Sequence, residues 1–396
     1  MFLEKRWWHT FITPTTCLAI PYLCIVLLAM CIGGHGGFVP FYSPSMLIWI
    51  VGLALMELCS GLCTALNRRL SNANAATIEL KPMRHEALLD IVLSLLIVLF
   101  ALHFRGQLAH SAYAIGSDEF GEEFATYGLF GHLMTLLLAC LIVCFGLVRK
   151  GKKTLYIGII TAIVFFLFIN QVKSWVIIPL IAGVILCLIS GKLQFTMRLI
   201  LLVIAAGLGL FSLSYIIVFA VVMGNAYNSD LVALVYKYII HYLLSGVMGY
   251  SEICRQNLID IPNASALFAP FVNIWNSLTG QPTVSPINPH FLIVNPEHGL
   301  GTNIRTLFGT IYIYGGSVVF IVYTLFLGMI CYLMRIFAIR SHSMYILACD
   351  AWFCALLFMG WFECYTFHLR TIEVPVILIM LYLASCVRWK RKEVVC

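Results

Sequence analysis

The sequence predicts an all-α membrane protein with about ten crossing helices and one long outer loop. Three observations carry that expectation. Apolar residues make up 62% of the 396 and charged residues only 10%, more apolar surface than a soluble domain of this length can hide. The apolar residues gather in ten runs, each about 18–25 residues long and so able to cross a hydrocarbon core of roughly 30 Å. Lys and Arg gather on alternate connections. With the first residues placed inside, 18 of the 24 lie on that side, the direction in which short basic loops set topology.

The runs cover about 14–33, 44–66, 87–104, 127–148, 154–170, 174–190, 199–222, 308–334, 344–361 and 373–388. Inside connections hold Lys5 and Arg6, then Arg68, Arg69, Lys81 and Arg84, then Arg149, Lys150, Lys152 and Lys153. Lys192, Arg198, Arg335 and Arg340 follow. An even number of crossings returns the tail, with Arg388, Lys390, Arg391 and Lys392, to the starting side. Few charges and short connections leave a single membrane domain over residues 1–396, with no separate soluble domain. The net charge of +7 lies mostly in inside loops, where topology explains it, so no nucleic-acid partner is expected. The 15 cysteines are spread mostly singly, and no pair has zinc-ligand or thioredoxin spacing. Cys254 and Cys364 both fall in outer segments, which leaves a disulfide between them open. The first run lacks the small-residue cleavage site of a signal peptide.

Six cations fall outside: Arg105, Lys173, Lys237, Arg255, Arg305 and Arg370. Topology has no use for them there. Snorkelling to headgroups or pairing with a carboxylate accounts for any one of them, but six together point to a site that holds an anion.

Two outer regions stand out. Residues 105–126 carry Asp118, Glu119, Glu122 and Glu123, without the Gly and Asn punctuation of a calcium loop. That pattern suits a solvated loop or a short surface helix. Residues 223–307 form the long outer loop, and loops of that length are usually functional. It opens with Leu231–Tyr250, where Lys237, His241 and Ser245 recur every four residues and share a helical face. Tyr236, Tyr238, Tyr242 and Tyr250 add rings that suit a membrane interface. An interfacial anchor and a sugar- or phosphate-binding ledge both fit. Pro262, Pro282, Pro286, Pro289 and Pro296 then break the backbone repeatedly. His298-Gly299-Leu300-Gly301-Thr302-Asn303-Ile304-Arg305-Thr306 precedes the eighth run. Its amide N–H groups and Arg305 suit an anion.

The sequence has no Walker loop, dinucleotide fingerprint, zinc-protease helix or serine elbow. ATP-driven transport and nucleotide-sugar transfer from the inner side lose their usual signatures. What remains is an outer face of cations, histidines and carboxylates near span ends. Arg305 and Arg370 offer the bidentate fork that matches phosphate oxygens. Lys173 sits in a turn too short to need a charge. His241, His290, His298 and His368 are candidate bases near neutral pH, with Glu252, Asp260 and Glu363 as alternatives. Inside the runs, Glu57 and Asp350 are expected to face the bundle interior as hydrogen-bond partners.

Over Gly301-Thr302-Asn303-Ile304-Arg305-Thr306-Leu307-Phe308-Gly309-Thr310-Ile311-Tyr312-Ile313-Tyr314-Gly315-Gly316 the chain resembles the bacterial oligosaccharide repeat-unit polymerases, the Wzy-type O-antigen or capsule polymerases. Asn303 and Thr306 match their Asn-x-x-Thr element after a long outer loop. Lys173-Ser174 resembles their basic residue at a tight outer turn, and Tyr236–Ser245 their Tyr-rich helix.

The resemblance implies a GT-C-like glycosyltransferase of the inner membrane, with both ends cytoplasmic and residues 223–307 in the periplasm. Its donor and acceptor would be undecaprenyl-pyrophosphate-linked oligosaccharides, and a chain-length regulator would be a further partner. It would need no cofactor and no metal. Arg305, Lys173, Arg255 and Arg370 would hold the pyrophosphate, with Lys237, His241, Asn303 and Tyr312 completing the binding surface. His298 or Glu252 would be the catalytic base. An O-antigen ligase, and a flippase or other secondary transporter of lipid-linked sugars, remain the rivals.

Overall fold

A computed structural model describes residues 2–70, 80–83, 85–113, 118–125, 128–149, 151–170, 173–217, 229–258, 263–284, 287 and 291–387. The elements in order are α1 (Phe2–Trp8), α2 (Pro14–Ile32), α3 (Met46–Leu70), α4 (Glu86–His110), α5 (Asp118–Ala125), α6 (Gly128–Leu147), α7 (Lys153–Ile169), α8 (Lys173–Ile189) and α9 (Met197–Ile217). Then come α10 (Ser229–Gln256), α11 (Ala264–Leu267), α12 (Ala269–Thr279), the strands β1 (Leu292–Asn295) and β2 (Leu300–Thr302), α13 (Leu307–Ser341), α14 (Met344–Phe358) and α15 (Leu369–Cys386).

Among the described residues, eight helices are long and apolar enough to cross a membrane. Each of the ten apolar runs falls on a helix, but the two sets differ. The helices over 153–169, 174–189 and 197–213 are shorter apolar helices. The eighth long one, Val232–Gln256, lies inside the stretch read as an outer loop. That stretch is folded: beside α10 it holds α11, α12 and a two-stranded antiparallel hairpin. The hairpin departs from a purely helical expectation. Its Leu292–Asn295 strand is too short to give a periodic signal in sequence, and its partner is only three residues long.

α14 is the axis of the bundle, with 83% of its apolar window buried. Glycines let α6 close on α14 and α8 close on α6. A Cβ at Gly146 of α6 would lie 2.3 Å from Met344 Sδ, and one at Gly183 of α8 would lie 2.4 Å from the Phe145 ring. Small residues permit such approach where lipid supplies no hydrophobic drive. A second core joins α2, α3, α10 and α13 through Tyr22, Trp49, Met248, Phe308 and Phe320.

Two charged residues cross this interior as a pair. Arg335 and Asp350 have side chains only 3% and 2% exposed, with Nη2 2.8 Å from Oδ2. The sequence placed Arg335 in an inside connection; α13 runs on to Ser341 and carries it into the bundle instead. Asp350 is an interior hydrogen-bond partner, as its position in an apolar run required. Glu57 lies against the carboxyl of Glu4, which accepts from Tyr332 Oη at 2.7 Å. At the same end as α1, Arg149 and Lys152 bind Glu86 at 2.9 and 2.8 Å, and Lys152 binds Asp90 at 2.7 Å. Those carboxylates raise the Lys152 pKa above its ordinary value, Asp90 contributing most.

The 105–126 region also differs from a plain solvated loop. α4 continues to His110, so Arg105 is an exposed helical residue. α5 buries Phe120 and Phe124, the latter edge-on to Phe100 and Phe104. Cys254 and Cys364 are both free thiols, and Cys364 Sγ meets Thr366 Oγ1 at 3.1 Å.

α13 is broken. Gly316 has φ 66° and ψ −176°, a region essentially reserved for glycine. Rings twelve residues apart would be separated by about 18 Å along a straight helix, yet Phe308 and Phe320 have centroids 5.7 Å apart. Tyr312 meets the same ring at 6.1 Å. The half-helix Leu307–Gly315 therefore turns back against the longer segment that follows. Leu307 consequently shares the lining of a small cavity, about 20 Å³, with Leu327, Phe353 and Leu357.

Candidate functional site

The half-helix begins where the polar loop ends, and its start is well built. Thr306 caps it by accepting from Gly309 N–H at 3.2 Å. The same Oγ1 accepts from Trp49 Nε1 at 3.0 Å, and Tyr22 stacks on Trp49 at 3.5 Å between centroids. Thr310 Oγ1 donates back to the Arg305 carbonyl. These contacts fix Arg305 one residue before the cap, where the N-terminal peptide dipoles favour negative charge.

α10 packs over this start. Gly246 and Gly249, three apart and so on one face, make the approach possible. A Cβ at Gly249 would lie 2.7 Å from the Ile304 oxygen, and one at Gly246 2.2 Å from the Phe362 oxygen. Both obstacles are backbone, which cannot swing aside. Gly249→Val is expected to force α10 off the 302–305 segment at an overpacking cost of about 1–3 kcal/mol. Unfolding of the purified protein in detergent checks this, with Gly106→Val as the control because nothing lies within 4 Å of that position.

The structure brings together several of the residues singled out in the sequence. Arg305 is 2% exposed, and its Nη1 donates to the carbonyls of Ile304 at 2.8 Å and Thr302 at 3.3 Å. It faces its own loop and α10 rather than an open hollow. His241 is buried, with Nε2 3.0 Å from the Gly301 oxygen and Nδ1 buried without a hydrogen-bond partner. Ser245 is buried on the same face, while Lys237 is half-buried. The face that suited either an interfacial anchor or a binding ledge thus packs inward at His241 and Ser245.

Glu252 is 1% exposed and accepts from Arg255 at 2.8 and 2.5 Å, and from Gln256. Both carboxylate oxygens are occupied, Oε2 by Arg255 and Oε1 by Arg255 and Gln256. This means that Arg255, half-exposed, already has its charge matched. Tyr250 is buried against Gly309, whereas Tyr236 is exposed. Of the four tyrosines, only some therefore keep to the interface role. Asn303 is exposed and Tyr312 half-buried. His298 stands exposed on the hairpin turn, its backbone N–H held by Asn295 Oδ1 at 3.2 Å. The hairpin is anchored in turn to the α2–α3 connection through Val39 N–H to Val294 O and Asn295 Nδ2 to Gly36 O.

A second group gathers around Trp175. The Arg370 guanidinium lies 5.5 Å from its ring centroid, and His368 meets it edge-on at 5.5 Å. Glu363 is 3.8 Å from His368 Nε2. Lys173 opens α8 two residues before Trp175; its side chain lies outside the described residues, as do His290 and Asp260. Tyr242 links the two groups by stacking on Phe362 at 6.3 Å. Of the six cations, Arg305 is thus buried beside α10 and Arg370 lies on the Trp175 ring, while Arg105 stands apart on α4.

Sequence reasoning missed the break at Gly316 and the role of Trp49. The Gly315-Gly316 pair inside an apolar run was the signal for the first. Nothing local marks Trp49, whose partner is 257 residues away.

No curated protein matches this chain, and no solved structure does. The model of a family of unknown function, DUF6337, matches residues 37–391, a span that takes in both groups and every element from α3 to α15. The chain belongs to that family.

Proposed function

We propose that the protein is a glycosyltransferase of the bacterial inner membrane that polymerises undecaprenyl-pyrophosphate-linked oligosaccharide repeat units at the periplasmic face. The observation that carries the reading is Arg305 at the start of a half-helix that Gly316 folds back into the bundle. Guanidinium and helix N-terminus both favour a diphosphate. Arg305 is 2% exposed, so binding requires the 302–305 turn to lift from α10 and release the long 3.3 Å contact with Thr302 O for a phosphate oxygen. Charge developing on the departing pyrophosphate is stabilised there. His298, exposed on the adjoining turn, takes the acceptor proton. Glu252 instead holds Arg255 in place.

Arg305→Ala is expected to abolish polymer while single lipid-linked repeat units accumulate. His298→Ala, at an exposed position, is expected to do the same at unchanged protein level. Wild-type chain length in both variants would remove the two residues from the site and sink the reading. Accumulation of lipid-linked polymer instead of single units would mark a ligase.

One observation favours a second reading. Broken helices are the usual construction of secondary transporters, and α13 is broken, with Arg335, Asp350, Glu4 and Glu57 inside the bundle. A flippase and a polymerase differ in where single units collect when the protein is deleted. Units held in the inner leaflet, inaccessible to an enzyme added outside, select the transporter. Units exposed on the outer leaflet select the polymerase.

A further inference from the structure

We propose that α12 is an interfacial helix whose Phe271, Ile274, Trp275 and Leu278 face seats in neutral lipid at the headgroup–acyl boundary. This rests on no enzymatic reading. The four residues recur at i, i+3, i+4 and i+7, one continuous stripe along a helix. They are between 47% and 80% exposed, in an eleven-residue helix. A stripe of that kind left bare is unusual on a surface that meets only water.

The other face is committed to the protein. Ala269 and Pro270 are buried. Asn273 exchanges hydrogen bonds with both the N–H and the carbonyl of Val284, and Asn276 Nδ2 donates to Pro282 O at 2.7 Å. These bonds hold the returning chain under the helix and fix which face turns outward.

Continuity with a membrane-crossing helix names the occupant. α12 follows α11 directly, and α11 is pinned to α13 at its break. Leu267 Cδ1 lies 3.2 Å from where a Gly315 Cβ would be, and Phe268 packs on Tyr323 at 5.3 Å. From that point α13 presents Val318, Val322 and Phe326, all exposed and four residues apart, as a lipid-facing row. The α12 stripe begins at Phe271, four residues after Leu267, which meets α13 at its break. Its chemistry fits uncharged lipid rather than an ionic partner. From Asn263 to Pro296 the chain holds no Asp, Glu, Lys or Arg. Trp275, the most interface-prone of the four, combines an apolar body with an N–H donor suited to headgroup depth.

The test uses the full chain in phosphatidylcholine proteoliposomes. Subtracting the emission of Trp275→Phe from wild type isolates the Trp275 component. That component is expected to be blue-shifted, and quenched more by lipids brominated near the glycerol end of the chains than near the methyl end. Interfacial helices sit about 5–10 Å into the boundary. The quenching is expected to be unchanged by high salt. Replacing Ile274 and Leu278 together by Ser, with Trp275 kept, is expected to reduce it by about half or more. Quenching by aqueous iodide but not by bromolipid would place the stripe in water and overturn the proposal. Quenching by neither would mean that a second copy or another protein covers it, which overturns it equally. Salt-dependent quenching would overturn the neutral-lipid chemistry.

Discussion

Asp350→Ala is expected to remove most of the folded protein from the membrane. The substitution leaves the Arg335 guanidinium in an interior where its Nε and Nη2 have lost Asp350, with Nη1 still on the Ile12 carbonyl. Removing one partner of a buried pair costs about 3–5 kcal/mol, because the remaining charge has neither a counter-ion nor water. Taking both charges away is a different matter. Arg335→Met with Asp350→Leu replaces the pair by apolar side chains of similar bulk, and such exchanges are often neutral or stabilising. The double variant is therefore expected near wild-type level, with each single variant far below it. Yield and thermal unfolding of the tagged protein in detergent measure this. A loss in the double variant equal to the sum of the two single losses would show that the charges act separately.

Gly316→Ala is expected to harm function more than folding. At φ 66° and ψ −176° a Cβ costs about 1–3 kcal/mol, and a helix lowers that cost by straightening. Straightening would draw Phe308 away from Phe320 and lift the start of the half-helix, with Thr306 and Arg305, from Trp49 and α10. On the proposed function, loss of polymer with most of the protein still folded is the expected result. The measurement is glycan length alongside protein level and melting temperature. Wild-type glycan from Gly316→Ala would show that the fold-back is not required.

The membrane helices were legible because their signal is compositional: an apolar run of sufficient length has few alternatives. The same rule gives no apolar run over α10, although α10 is long enough and apolar enough to cross a membrane. Lys237, His241, Glu252 and Arg255 lower its mean hydropathy, so it reads as an amphipathic loop helix, although its glycine face is buried against the bundle. Single residues were harder. Arg305 stands out in sequence as a cation that topology does not need, but its carbonyl partners come from the turn before it, which no periodicity reveals. Glu252 looked available because a carboxylate in an outer segment usually is. That Arg255 and Gln256 close over it follows from their i+3 and i+4 spacing, a clue present in the sequence and outweighed by its functional reading. Arg335 reads as a connection residue because the apolar run stops at 334, about two turns before α13 ends at Ser341.

The contact between Glu4 and Tyr332 has a consequence for biosynthesis. These partners are 328 residues apart, and Thr15 also bonds Tyr332, at 2.6 Å. Ribosomes add about 5–20 residues per second. α1 must therefore wait roughly 15 to 65 s after it emerges before its hydroxyl donor exists. During most of that interval only Glu57 can lie against the Glu4 carboxyl, and its further shelter must come from the insertion machinery or from water at the bilayer edge.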